Sequence, residues 1–188
     1  QWQVNDKLYI IPSLRFEHSS QFGSEVTPKV GLTYNFNNFW RFKANYGLGY
    51  KAPTITELYM RMHRAMGPMT VNIYGNPDLD PEKSKSFDFS VEADKGAWFG
   101  KVTYFNNKVT NLITTERFTG PTGPSDYRYV NVDDAQINGI EAEVGRRIGK
   151  RWITKITHNW LDAIDKKKHT QLDNRAKNTR SEERRVGK

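Results

Sequence analysis

The sequence predicts an all-β chain: an antiparallel up-and-down transmembrane β-barrel fragment, about seven or eight strands of a larger barrel. Three observations carry that expectation. Apolar residues recur at every second position along most of the chain, the signature of strands with two unlike faces. The connections alternate between short turns and long links, as they do when tight turns close one end of a barrel and loops extend from the other. Tryptophans stand just after the short turns, where a membrane-interface girdle places amphipathic rings. Composition agrees, because 13% aromatic residues at a mean hydropathy of −0.79 suit strands in which only alternate residues meet lipid.

Each strand can be read in order. Leu8, Ile10, Pro12, Leu14 and Phe16 share one face, with Ser13, Arg15 and Glu17 on the other. Next, Val30, Leu32, Tyr34 and Phe36 alternate with Lys29, Gly31, Thr33 and Asn35. The clearest strand sets Trp40, Phe42, Ala44, Tyr46, Leu48 and Tyr50 against Arg41, Lys43, Asn45, Gly47 and Gly49. Phe87, Phe89, Val91 and Ala93 then oppose Ser86, Asp88, Ser90 and Glu92, while Trp98, Val102 and Tyr104 oppose Lys101 and Thr103. Ile140, Ala142 and Val144 mark a later strand, followed by Trp152, Ile156 and Trp160, and another begins near Leu172. Short turns fall at Asn5-Asp6-Lys7, residues 35–38, Asp94-Lys95-Gly96 and residues 147–150, all rich in Asn, Asp or Gly. The long links are residues 19–25, 52–83, 116–126 and 162–171. A soluble sandwich also alternates, but it has little reason to gather its long links at one end. A piece of this size does not close around a wide lumen, so its edge strands are expected to be unpaired.

Several function classes are excluded. Without cysteine there is no disulfide framework and no thiolate metal site. His18, His63, His158 and His169 have no HxxxH or HxH spacing, so no metal site is expected. No run approaches the ~20 apolar residues of a membrane-spanning helix. No block of like charge suggests a nucleic-acid partner. With no GxSxG, HExxH or P-loop, an enzyme is not expected, and Asp133, Asp134, Glu141 and Glu143 read as residues lining a hydrated lumen.

The ends read differently from the body. Gln1-Trp2-Gln3 has neither an initiator methionine nor a leader pattern, so processing or truncation is expected upstream. Arg180 to Lys188 resembles translated sequencing adapter, the alternative being a disordered charged tail. Domain 1–179 is therefore expected to be partial barrel and 180–188 a non-native tail that adds no strand. Removing the tail's four positive and two negative charges takes the net charge from +8 to +6.

Two boxes bracket the longest link: Tyr50-Lys51-Ala52-Pro53 with the following residues to Glu57, Leu58 and Tyr59, and Gly75-Asn76-Pro77-Asp78-Leu79-Asp80-Pro81-Glu82. Pro53 lacks an N–H and disfavours helix at Ala52, which ends a strand ladder there, and Pro77 and Pro81 punctuate the return to Glu82. Together they resemble the paired FRAP-type and NPNL-type boxes of TonB-dependent receptors, with Lys51 for the usual arginine and Asp78 for an asparagine. The stretch from Tyr129 through Asn138, Gly139 and Glu141 resembles the family's YxN and GxE strand, and residues 172–179 a run entering a further strand. The resemblance spans about Val26 to Thr179.

The resemblance implies an outer-membrane receptor that imports an iron chelate, ferric siderophore or haem. It implies three partners: outer-membrane lipid, the iron chelate, and the TonB energy-transducing complex, reached through an N-terminal plug part not contained in this piece. No resident cofactor or metal is implied, since haem or siderophore would be cargo. Haem receptors of the family carry a ligand histidine between the two boxes, which makes His63 the candidate. Tyr59, Arg61, Arg64, Met60 and Met62 surround it in sequence, with arginines suited to propionates and methionines to a porphyrin face. A passive porin and a soluble β-sheet binding module are the rival readings.

Overall fold

The computed structural model describes residues 1–66, 69–121, 123–149, 151–166, 170–171 and 178–186. The two-residue β1 (Trp2–Gln3) precedes β2 (Leu8–Ser19), β3 (Gly23–Asn35) and β4 (Trp40–Lys51). A short helix, α1 (Ile55–Tyr59), and a hairpin of β5 (Arg61–Met66) and β6 (Met69–Tyr74) interrupt the series. It resumes with β7 (Glu82–Lys95), β8 (Trp98–Gly120), β9 (Gly123–Ile148), β10 (Trp152–Asp165), β11 (Thr170–Gln171) and β12 (Asn178–Val186). The sheet runs β1-β2-β3-β4-β7-β8-β9-β10, each pair antiparallel, and both β11 and β12 pair with β10.

Register converts the alternation in sequence into two unlike faces. One row across the sheet reads Ile10, Leu32, Ala44, Phe89, Tyr104, Ile140 and Trp160. The row behind it reads Thr33, Lys43, Ser90, Thr103, Glu141 and Asn159. The apolar row is bare: Leu32, Phe89, Tyr104, Ile140 and Trp160 are 40–44% exposed. An apolar face this extensive needs a cover other than water. No second sheet packs on it among the described residues, so the expected single-sheet arrangement holds.

The polar face is tied by hydrogen bonds and by aromatic rings laid over glycines. Lys43 Nζ lies 2.7 Å from Glu92, Asn45 Nδ2 donates to Asp88 at 2.8 Å, and Ser90 and Thr103 share a hydrogen bond of 2.9 Å. Phe105 occupies the space above Gly139, where an added Cβ would also stand 2.7 Å from the Trp160 carbonyl oxygen. Phe99 does the same above Gly145.

The short turns form as their residues suggest. Asn5 accepts from the N–H groups of Lys7 and Leu8, and Asn37 from those of Phe39 and Trp40. Gly96 and Gly149 take φ of +60° and +61°, the left-handed region that costs glycine least. Trp40, Trp98 and Trp152 open β4, β8 and β10 just beyond these turns and are about half exposed. Arg146 lies 5.1 Å over the Trp98 ring.

Three expectations need correction. The long links are mostly ordered strand: β8 and β9 stay paired through Phe118 and Asp126 to Gly120 and Gly123, and β2 and β3 to Ser19 and Gly23. The cause is sequence content, since Thr114, Thr115 and Tyr129 are strand formers and Glu116 pairs with Arg128 across the ladder at 2.8 Å. Second, Arg180 and the residues to Val186 do form strand, as part of β12 on the free edge of β10. A ladder is made of backbone hydrogen bonds and requires no alternation, and here Lys155 sits between Glu143 (3.3 Å) and Glu183 (3.6 Å) while Thr157 bonds Ser181. The start expected near Leu172 lies outside the described residues. Third, Glu141 and Glu143 lie on the polar face, but Asp134 is in register with Thr110 and stands on the opposite one.

Candidate ligand-binding site at the long-loop end

The ends of β4 and β7 away from the short turns meet the middle of β8 and β9 in a knot built by the sequence boxes. At the end of β4, Pro53 is buried and terminates the ladder. Thr54 then caps α1: its hydroxyl accepts from the Glu57 N–H at 3.2 Å, while the Thr54 N–H donates to Glu57 Oε2 at 2.7 Å. This reciprocal capping box satisfies two backbone donors of a helix too short to persist alone. Leu58, 3% exposed, anchors it from below. Lys51 Nζ stands 3.0 Å from Glu57 and 3.1 Å from Glu82, and Glu82 also accepts from the Ile113 N–H at 2.9 Å. Burial alone raises the Glu57 pKa, but the Thr54 N–H and the Lys51 ammonium outweigh it and hold the carboxyl below the usual glutamate range.

The second box folds back onto the first. The Gly75 N–H donates to the Met60 carbonyl at 2.6 Å and the Asn76 N–H to the Glu57 carbonyl at 2.9 Å. Gly75 is required here by close approach: a Cβ would stand 2.6 Å from backbone atoms of Leu58, Tyr59 and Met60. Asn76 accepts from the Asp78 N–H at 3.0 Å and donates to the Tyr129 carbonyl at 3.1 Å, and Leu79, just before Pro81 and Glu82, is 2% exposed. Asn131 closes the knot. Its Oδ1 accepts from the Asp80 N–H at 2.8 Å, and its Nδ2 donates to the carbonyls of Asp80 (3.0 Å) and Asn111 (2.8 Å). Asn111 itself takes φ of +56°. The motif residues thus come together as structure: Lys51 joins Glu57 and Glu82, Asn76 returns to Glu57 and reaches Tyr129, and Pro53, Leu58 and Leu79 are buried. Tyr50 pairs in register with Lys83. Ala52 is half-buried and Pro77 exposed, while Asn138, Gly139 and Glu141 lie farther along β9, with Asn138 accepting from Asn106 and Gln136.

Between the two boxes the hairpin rises from this platform. Tyr59 ends α1 and is 58% exposed, Met60 is its C-cap, and Arg61, Met62 and His63 follow on β5. Strand alternation puts Arg61 and His63 on one face with their register partners Tyr74 and Asn72, and Met62 on the other. The expected grouping of methionine with histidine is therefore not made at Met62. The Arg64 side chain lies outside the described residues.

Behind His63 is a relay absent from the sequence reading. His63 Nδ1 is 2.5 Å from Asn72 Oδ1, and Asn72 Nδ2 donates to Asp126 Oδ1 at 2.8 Å. Asn72 and Asp126 are each 1% exposed, and β6 and β9 pair in parallel from Asn72 and Asp126 to Tyr74 and Arg128. A carboxylate only accepts, so Asp126 fixes the Asn72 amide with its oxygen toward the imidazole. His63 therefore turns an N–H on Nδ1 toward Asn72, and in the neutral form of the ring Nε2 is the nitrogen without a proton. Tyr74 packs edge-on to His63 and to Phe118, and Arg128 lies over Phe118. No sequence signal links residues so far apart; Asn131, by contrast, was visible as the asparagine of the YxN run.

A run of next-neighbour antiparallel strands with one bare apolar face and tryptophans at the short turns has the features of a wall segment of an outer-membrane barrel. The chain belongs to the TonB-dependent receptor barrel family: the family model described as "TonB dependent receptor-like, beta-barrel" matches residues 1–181. It is 29% identical over 167 residues to the vitamin B12 transporter BtuB of Photobacterium profundum, covering 89% of this chain and 26% of that protein. Among solved structures it is similar to the siderophore receptor PirA of Pseudomonas aeruginosa, with a TM-score of 0.75 at 18% identity, over 86% of this chain and 32% of that one. It is also similar to the ferric enterobactin receptor PfeA of Pseudomonas aeruginosa, with a TM-score of 0.75 at 19% identity, over 96% and 28%. The chain therefore spans about a quarter of the length of that transporter. The family is one of outer-membrane transport receptors, not enzymes.

Proposed function

We propose that this segment belongs to an active importer of an iron chelate, energised by the TonB complex, with hairpin β5–β6 as the first contact for cargo. The observation that carries the reading is the His63, Asn72 and Asp126 relay. A neutral imidazole whose Nδ1–H is held by an oriented acceptor presents Nε2 in the form a metal ligand requires. That favours haem, whose iron accepts an axial histidine while Arg61, on the same strand face, suits a propionate. A ferric siderophore is the second reading, supported by the exposed Tyr59 and Arg61 beside a histidine that the chelate would not need. Passive diffusion through a porin is disfavoured by family membership.

The test is a spectroscopic haem titration of the complete receptor carrying this segment. His63→Ala should abolish the axial-histidine signature and weaken binding, and Asn72→Ala should weaken it about 10–100-fold through loss of orientation. Unchanged haem spectra in both variants, with retained binding of a ferric siderophore, would move the cargo to the second reading.

A further inference from the structure

The apolar face changes character toward the long-loop end. The row of Tyr46 and Phe87 gives way to Asn106 and Asn138, and the next row reads Leu48, Lys85, Lys108 and Gln136. Lys85 and Lys108 are direct cross-strand partners on the same side, an arrangement of like charges that destabilises a sheet by itself. Both are exposed, and neither has an ion pair or hydrogen bond from its ammonium among the described residues. Lys166, just past β10, also has its ammonium unpaired there, and lines one groove with Leu48, Lys85 and Lys108. Two acids border that groove, Glu25 and Asp134, but Glu25 is engaged at 2.9 Å by a fourth lysine, Lys83. The balance remains positive. Directly beneath, toward the tryptophan girdle, Phe87, Phe89 and Tyr104 continue the same face and are 40–44% exposed.

We propose that Lys85, Lys108 and Lys166 form a binding site for the phosphate groups of a phosphorylated lipid in the outer leaflet, whose acyl chains lie along Phe87, Phe89 and Tyr104. An anion between Lys85 and Lys108 converts a repulsive register pair into a shared counter-ion bridge, with charge-assisted hydrogen bonds to the phosphate oxygens. The apolar surface that continues from the groove selects a lipid over a free anion. This site rests on the barrel orientation, with long loops outward, and is independent of the cargo assigned above.

The complete receptor in detergent micelles is titrated with lipid A, a diphosphorylated glucosamine lipid, with its dephosphorylated form, and with inorganic phosphate; native mass spectrometry counts the bound lipid. The paired variant Lys85→Ser with Lys108→Ser should bind lipid A about 30-fold more weakly, at roughly one surface-lysine increment per site. Lys29→Ser with Lys101→Ser, which removes the same charge from the polar face, should leave binding unchanged. Should the first pair fail to assemble, Lys166→Ser, outside any strand, gives the same direction at about 5-fold, and Lys85→Arg with Lys108→Arg should bind like wild type. Equal affinity in wild type and the serine variants overturns the site. So does inorganic phosphate binding as tightly as lipid A, which would make it a free-anion site.

Discussion

The knot and the hairpin stand side by side at one end of the sheet and are built on opposite terms. In the knot, Pro53, Leu58 and Leu79 are buried, and nearly every polar atom of the two boxes is spent on a neighbour within the chain. The hairpin touches the platform through three parallel register pairs and one buried amide, and turns Arg61 and His63 outward. The box residues are thus engaged within the chain, and the exposed Tyr59, Arg61 and His63 of the proposed cargo contact lie in the segment between them. Strongest sequence signal and richest chemistry do not coincide.

That contrast can be broken most sharply at Gly75. An alanine there meets three backbone atoms that have no rotamer to yield, so Gly75→Ala should cost about 3 kcal/mol, read as a lowered thermal midpoint of the assembled receptor. Asn131→Ala comes next. It strands the Asp80 N–H and takes a donor from two carbonyls, for about 2 kcal/mol in the same assay. An Asn131→Asp variant should recover only the part due to the Asp80 N–H.

Loss of the capping box has a smaller effect, and it depends on pH. Thr54→Ala should cost about 1 kcal/mol. Because the Glu57 pKa is lowered in the folded state, its contribution is fully present above the ordinary glutamate pKa and is lost as the pH falls through its own lowered value. The stability advantage of wild type over Glu57→Gln, measured from neutral to acid pH, should therefore shrink on acidification. An advantage that grows toward acid would show the Lys51 and Thr54 contacts to be absent.

How much of this was legible beforehand follows from which forces are local. Alternation at Trp40 to Tyr50 fixed a face because strand period and burial are both local to the strand, and the register of six strands then aligned those faces without further information. The box residues could be found for a different reason, resemblance, but their contacts could not: Asn76 to Tyr129 and Asp80 to Asn131 span about fifty positions. The strand in the tail was missed because pairing on an open edge needs backbone alone. The relay was missed since Asn72 and Asp126 are ordinary polar residues until the parallel pairing of β6 and β9 brings them together.

The most direct measurement of the division between scaffold and ligand contact sets Gly75→Ala beside His63→Ala in the complete receptor, each followed by thermal unfolding and by haem titration. His63 bonds the buried Asn72 and packs against Tyr74, so its removal should cost about 1 kcal/mol, well short of the Gly75 effect, while haem binding is lost. Gly75→Ala should lower the midpoint first, with binding falling only as the platform loosens. A His63→Ala receptor that unfolds as early as Gly75→Ala, yet still binds haem with an unchanged spectrum, would place His63 in the scaffold and contradict the account.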